Sequence, residues 1–189
     1  MKIILGSSSK YRKELLENAG YQLQVMVPDI DEKAIRTDDF NQLPLLVARA
    51  KLDALIPKIA EPSIAITADV IVVCAGSVYE KPKDEQEARF FLKSYSDGNP
   101  AEVIAALVVI NTKNNKRAEG IDIAKVYFNV LPPTVIDEFI KNGDPFSKAG
   151  GFGIQIPILK PYVSKIEGTR ECVMGMPMDL LEKLIKEVS

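Results

Sequence analysis

Two long β-patterned runs, residues 102–112 and 117–130, are joined by Lys113-Asn-Asn-Lys116, and this pairing constrains the fold more than any other feature. Four polar residues between two apolar runs read as a hairpin turn, so these two strands are antiparallel neighbours. Elsewhere strand and helix patterns alternate along the chain. A hairpin set among alternating elements implies an α/β fold with a mixed sheet, not an all-parallel one.

The remaining elements follow from pattern and punctuation. Residues 2–5 read as a short buried strand leading through Gly6-Ser-Ser-Ser9 into a helix over 10–19, with Leu15, Leu16 and Ala19 on one side and Gly20 just past its end. Residues 21–27 alternate as a strand that stops at Pro28, and the polar stretch 29–39 reads as a loop. A helix is expected over 44–56 with Leu45, Leu46, Ala48, Leu52 and Leu55 facing inward. A strand over 62–75 turns at Gly76 and returns through Val78 and Tyr79. Asp84 is placed to cap a helix closed by Asp97-Gly98, Pro132-Pro133 opens a helix stopped by Gly143, and Pro177 starts a last helix to Val188. With 189 residues, no linker and no repeat, the expectation is a single domain over 1–189.

Histidine is absent from the sequence. That excludes Ser-His-Asp and Cys-His nucleophile systems and any metal site built on imidazole. The two cysteines, Cys74 and Cys172, cannot supply a four-cysteine zinc site, and so few suggest a reducing, cytoplasmic setting more than a disulfide framework. Lys plus Arg number 24 against 26 Asp plus Glu, so no global field draws the chain to nucleic acid or an anionic membrane. The apolar start is too short for a signal peptide, and no run approaches the roughly 18 apolar residues of a membrane span. Chemistry is left to carboxylates, lysines, arginines, hydroxyls, backbone amides or a hard metal ion.

Four segments can carry it. Ser7, Ser8 and Ser9 between a strand and a helix, followed by Lys10, Arg12 and Lys13, suit an anion at a helix N-terminus; an ordinary serine cap is the plainer reading. Asp69 lies in Ile64-Ala-Ile-Thr-Ala-Asp-Val-Ile-Val-Val73, where a carboxylate is costly to bury without a cation, and a solvent-facing edge position is the alternative. Lys81, in Glu80-Lys-Pro82, follows Asp69 at a distance a hairpin could close, although a lysine before proline is commonly a surface residue. The stretch 144–155 carries three glycines in Gly150-Gly-Phe-Gly153, which suit close approach to a ligand or merely a tight loop.

Together these blocks resemble the Maf family of nucleoside triphosphate pyrophosphatases, relatives of the inosine-triphosphate pyrophosphatases. The family's opening block is matched by Leu5-Gly-Ser-Ser-Ser-Lys-Tyr-Arg-Lys-Glu-Leu-Leu16, its acidic loop by Asp29-Ile-Asp-Glu32, and its A-x-x-K-A helix by Ala48-Arg-Ala-Lys-Leu52. Its A-D-T-x-V and G-K-P motifs are matched by Ala68-Asp-Val-Ile-Val72 and Glu80-Lys-Pro82. Its D-K-A-G-x-Y-G-I-Q block is matched by Ser147-Lys-Ala-Gly-Gly-Phe-Gly-Ile-Gln155, and its G-L-P by Gly175-Met-Pro177. The resemblance implies a mixed, bent central sheet flanked by helices with a central cleft, often in a homodimer. It also implies hydrolysis of a nucleoside triphosphate to the monophosphate and pyrophosphate with a divalent cation (Mg, Mn or Co). In that scheme Glu32 and Asp69 hold the metal, Asp69 activates water, and Lys51 and Lys81 offset charge on the phosphates. Ser7, Tyr11, Arg12, Val70, Lys148 and Gln155 contact the substrate. Tyr11 is similar to the aromatic of a subgroup acting on 7-methylguanosine triphosphate, and Gln155 to a residue of the subgroup acting on uridine and thymidine triphosphates.

The sequence departs from the family pattern at Lys10, Tyr11 and Val70. The block Asp97-Gly-Asn-Pro-Ala-Glu-Val-Ile-Ala-Ala106 also lacks the family's histidine, threonine and glycine. A nucleotide-binding regulatory protein of the same fold, with weakened catalysis and linked to cell division, is the competing expectation.

Overall fold

A computed structural model describes residues 2–189 and contains a seven-stranded mixed sheet in the order β2-β1-β3-β5-β6-β7, with β4 pairing β3. The strands are β1 (Lys2–Gly6), β2 (Leu23–Val25), β3 (Ser63–Cys74), β4 (Ser77–Tyr79), β5 (Ala101–Asn111), β6 (Lys116–Phe128) and β7 (Val163–Glu167). The helices are α1 (Lys10–Asn18), α2 (Gln42–Leu55), α3 (Glu85–Ser96), α4 (Pro133–Lys141), α5 (Arg170–Val173) and α6 (Met178–Val188). The chain divides into two compact units. Of the described residues, the first comprises 2–69, Ala105–Asp122 and Met174–Ser189, and the second Val70–Ile104 and Ile123–Val173.

In the first unit β1 runs parallel to both β2 and β3, with Ile3 opposite Leu23 and Ile64. Alternation along these strands sends side chains to two apolar layers. Ile3, Leu5, Ile64, Ile66, Ala68, Leu107 and Val109 pack with Leu16 of α1 and with Leu181, Leu184 and Val188 of α6. Ile4, Ala65, Ala106, Val108 and Ile110 pack instead with Leu45, Ala48 and Leu52 of α2. Both faces are covered, which is why these strands read as unbroken apolar runs. The parallel pairing of β1 with β3 ends at Gly6 and Thr67, so the loop after β1 lies beside residues 68–69, where β3 runs on past β1.

In the second unit Val72, Cys74, Val103, Val126 and Phe128 form one apolar core with Phe91, Leu92 and Tyr95 of α3, Phe139 and Ile140 of α4, and Phe152 and Ile154. Positions alternating with these carry ion pairs, Lys125 with Glu102 and Lys165 with Glu167, as well as the buried Ile71, Val73 and Ile104. β4 closes the hairpin expected at Gly76, with Val72 opposite Tyr79.

Several expectations are corrected. The strand expected over 21–27 is only three residues long, because β1 offers a short parallel edge; Met26 N–H still donates to the Leu5 carbonyl at 3.0 Å. The loop over 29–39 contains one 3₁₀ turn, Glu32–Ala34, whose start is capped by the Asp31 carboxylate accepting from Lys33 N–H. α2 begins two residues before Pro44, since proline lacks a donor that the first helical turn does not use. Ala19 is the exposed C-cap of α1 and contributes no core face. β7 and α5 carry few apolar residues and had no readable pattern. The long hairpin, the Asp84 cap and the closing helix stand as expected.

Candidate active site

At the end of the first unit's parallel strands, Ser9 caps α1, its Oγ accepting from Arg12 N–H at 3.4 Å. The plain reading of the serine run therefore holds for Ser9. Ser7 is different: it is buried, and its Oγ accepts from both Ser9 N–H (3.2 Å) and Arg12 Nη1 (3.3 Å). With its acceptor capacity used, the Ser7 hydroxyl keeps its proton to donate to an acceptor.

Arg12 is 7% exposed and holds three segments together. Its Nε donates to the Gly175 carbonyl at 3.0 Å and its Nη1 to the Ala68 carbonyl at 2.8 Å. Burial pulls this guanidinium down from its ordinary value, while the Asp69 and Glu32 carboxylates pull it back. Arg12 fixes the residue before Asp69 and positions Ser7.

Asp69 and Lys51 form the centre. Lys51 projects from α2 and its Nζ lies 2.8 Å from Asp69 Oδ1 and 3.0 Å from Glu32 Oε2. The side chains of Lys51 and Asp69 are 9% and 13% exposed, whereas Glu32 on the loop after β2 is 53% exposed. Burial raises the Asp69 carboxyl above its ordinary value despite the opposing pull of Lys51 and Arg12. Asp69 is thus a largely buried carboxylate paired with a cation, the first of the two readings its sequence context left open.

The donor set fits a divalent ion. Two carboxylates converge on one cationic group, and their oxygens are no farther apart than the two distances to Nζ combined. Hard ions such as Mg²⁺ are typically held by one or two carboxylates together with substrate phosphates and water. Among the described residues there is no cluster of three or more acidic or cysteine ligands.

Val70, Lys81, Lys148 and Gln155 lie in the second unit. Val70 packs partly against that unit's core. Lys81 is exposed, two residues beyond β4, with no ion pair among the described residues. Lys148 donates to the Asp144 carbonyl (2.8 Å) and Ser147 Oγ (3.0 Å), and Gln155 is half-buried. The glycine-rich loop is built for close packing. Gly150 has φ +69°, its N–H donates to the Glu80 carbonyl, and its carbonyl accepts from Tyr95 Oη at 2.9 Å. A Cβ there would fall 2.8 Å from Val72 Cγ2. Tyr11, in the first turn of α1, is half-buried and stacks on no other ring among the described residues. Sequence reasoning missed the tie from Tyr95 to this loop and the Gly175 carbonyl under Arg12; neither leaves a pattern, because each joins residues far apart in the chain.

The fold and this constellation define a mixed α/β protein with a buried carboxylate–lysine centre beside a strand-to-helix loop. The chain belongs to the Maf-like protein family, whose sequence model matches residues 2–188. It is 41% identical to a 7-methyl-GTP pyrophosphatase of Dictyostelium discoideum, covering 99% of this chain and 97% of that one. It is 36% identical to a dTTP/UTP pyrophosphatase of Clostridium perfringens (98% and 96% covered) and 32% identical to one of Vibrio vulnificus (98% of each). Among solved structures the Ham1 protein of Staphylococcus aureus superposes with a TM-score of 0.51 over 98% of each chain at 12% identity, a likeness of fold. No described helix is long and apolar enough to cross a membrane.

Proposed function

We propose that this chain is a nucleoside triphosphate pyrophosphatase, hydrolysing the α–β phosphoanhydride to a nucleoside monophosphate and pyrophosphate. The observation that carries the reading is the buried Asp69 carboxylate, paired with Lys51 and facing Glu32 across the same ammonium. The full-length relatives named as pyrophosphatases support it, and they favour an enzyme over the regulatory alternative. Divergence at Val70 and across 97–106 leaves Ser7, Arg12, Glu32, Lys51 and Asp69 in place.

Asp69 accepts the proton of the attacking water, a task suited to a carboxylate whose pKa is raised by burial. The water oxygen bonds to the α-phosphorus, the bond from that phosphorus to the α–β bridging oxygen breaks, and pyrophosphate leaves with that oxygen. A divalent cation held by Glu32 and Asp69 would supply charge neutralisation at the phosphate oxygens. Ser7 donates its hydroxyl proton to a phosphate oxygen, and Lys51 offers its ammonium to the charge that develops. Arg12 acts through Ser7 and the backbone at Ala68 as a positioning residue. Charge compensation by Lys81 and Lys148, and substrate contacts by Gln155 and Val70, are proposed on the family resemblance. So are a homodimeric state and a cytoplasmic setting, the latter in keeping with Cys74 and Cys172, neither of which is in a disulfide.

For the base, 7-methylguanine is the first choice. The relative named for that substrate is 41% identical, and Tyr11 offers a ring that no other ring covers among the described residues. A methylated guanine carries positive charge, which an aromatic face attracts. The test is a panel of normal and modified nucleoside triphosphates assayed for pyrophosphate release with Mg²⁺, Mn²⁺ and Co²⁺. Release of orthophosphate instead of pyrophosphate, or no turnover on any member, would refute the proposal.

A further inference from the structure

Lys51 is already the counter-ion of Glu32 and Asp69, the two carboxylates that would hold a divalent ion. Its Nζ makes close contact with both carboxylates, and its side chain, on α2, is only 9% exposed. The ammonium and a divalent ion would compete for the negative charge of the same two carboxylates. Charge adds to the competition. Arg12 and Lys51 balance Asp69 and Glu32, so this group is electrically neutral, and the buried Arg12 is fixed by its hydrogen bonds to Gly175 and Ala68. A bare divalent ion would add two positive charges to a neutral, largely buried group, and Lys51 would lose its partners with nothing to replace them. A triphosphate arriving with the ion brings anionic oxygens, to which the ammonium can transfer as it gives up the carboxylates.

We infer that Lys51 is a resident counter-ion that excludes free divalent cations, so that the site takes its metal only as the complex already formed with a triphosphate. The inference rests on the pyrophosphatase reading and adds to it the form in which the substrate binds. Lys51 then has two successive partners, carboxylates before substrate and phosphate oxygens after.

The test is calorimetric titration of Mn²⁺ alone into the parent chain and into Lys51→Met, followed by titration of Mn²⁺ with a non-hydrolysable α,β-methylene nucleoside triphosphate. The parent should bind Mn²⁺ with the analogue and bind Mn²⁺ alone far more weakly. Lys51→Met should bind Mn²⁺ alone about tenfold or more tightly than the parent, a size common for coupling between neighbouring sites. A lysine that serves only packing would leave the Mn²⁺ affinity unmoved. Should Lys51→Met fold poorly by circular dichroism, Lys51→Gln removes the charge while keeping a donor, and the same gain is expected. Equal Mn²⁺ affinities in parent and folded variant would overturn the exchange alone. A parent chain that releases no pyrophosphate from any triphosphate would overturn the activity reading instead.

Discussion

Replacing Asp69 by Asn separates catalysis from stability at the centre of the site. The amide is nearly isosteric but can neither accept the water proton nor hold a hard cation well. Loss of a general base typically costs about 10²–10⁴-fold in rate, and loss of a metal ligand adds to that. Two effects oppose each other in stability. The hydrogen bond from Lys51 Nζ, 2.8 Å in the parent, loses its charged acceptor, and a bond to a charged group is worth about 1.5–3 kcal/mol. Against this, the variant no longer buries a carboxylate whose side chain is 13% exposed. The balance has a direction, since burial outweighs Lys51 and Arg12 and leaves the Asp69 carboxyl above its ordinary value. A carboxyl raised on folding contributes stability that is present below its unfolded pKa and lost as pH rises through its folded one. Asn retains the neutral form at every pH, so near neutrality the variant should match or slightly exceed the parent. Lys51 meanwhile keeps Glu32 at 3.0 Å. Melting temperature and pyrophosphate release should be measured on the same metal-free preparation, with metal added only for the assay. For a chain of this length, about 1 kcal/mol moves the melting temperature by about 2–4 °C. A variant that melts several degrees lower yet turns over nearly as fast per folded molecule would make Asp69 a structural anion and sink the argument.

Arg12→Met leaves the buried carbonyls of Ala68 and Gly175 without their donor, at about 1–3 kcal/mol each, so urea denaturation should show a loss of about 2–6 kcal/mol; a change within 0.5 kcal/mol, roughly the range of a plain surface substitution, would contradict its positioning role. Tyr11→Ala should weaken binding of 7-methylguanosine triphosphate by about 1–3 kcal/mol, the scale of base stacking on a ring, and unchanged KM and selectivity across the nucleotide panel would mark Tyr11 as a helix-surface residue. Hydrogen bonding to Arg49 lowers the Glu119 carboxyl below its ordinary value, so it contributes stability above its unfolded pKa that is lost as pH falls through the folded one. Chemical denaturation of parent and Glu119→Gln should accordingly converge in acid and diverge toward neutrality; a constant gap would show that the ion pair sets no pH dependence.

Local order was legible where neighbours in sequence decide it. The apolar runs of β3 and β5, the Asp84 cap, the positive φ of Gly20 and the turn around Asn115 all follow from local side-chain pattern, backbone sterics and short-range hydrogen bonds. Polar edge elements were not legible. β7 exposes most of its residues and forms only because β6 offers it a ladder across a bulge between Tyr127 and Phe128.

The sequence by itself also determined the chemistry available and the family, through the absence of histidine and the ordered blocks from Leu5 to Pro177. It could name Ser7, Arg12, Glu32, Lys51 and Asp69, but not their relations. Only the tertiary structure decided that Arg12 is buried against a carbonyl 163 residues away, and that Lys51 stands between two carboxylates. The physical reason is that a charge's role depends on its desolvation and its partners, and both are set by contacts between distant segments. Arg12 and Lys13 are adjacent basic residues in the sequence. One is enclosed at the centre of the site and the other lies in solvent beside Glu17, because successive helical positions are rotated by about 100° about the axis and so fall on different faces.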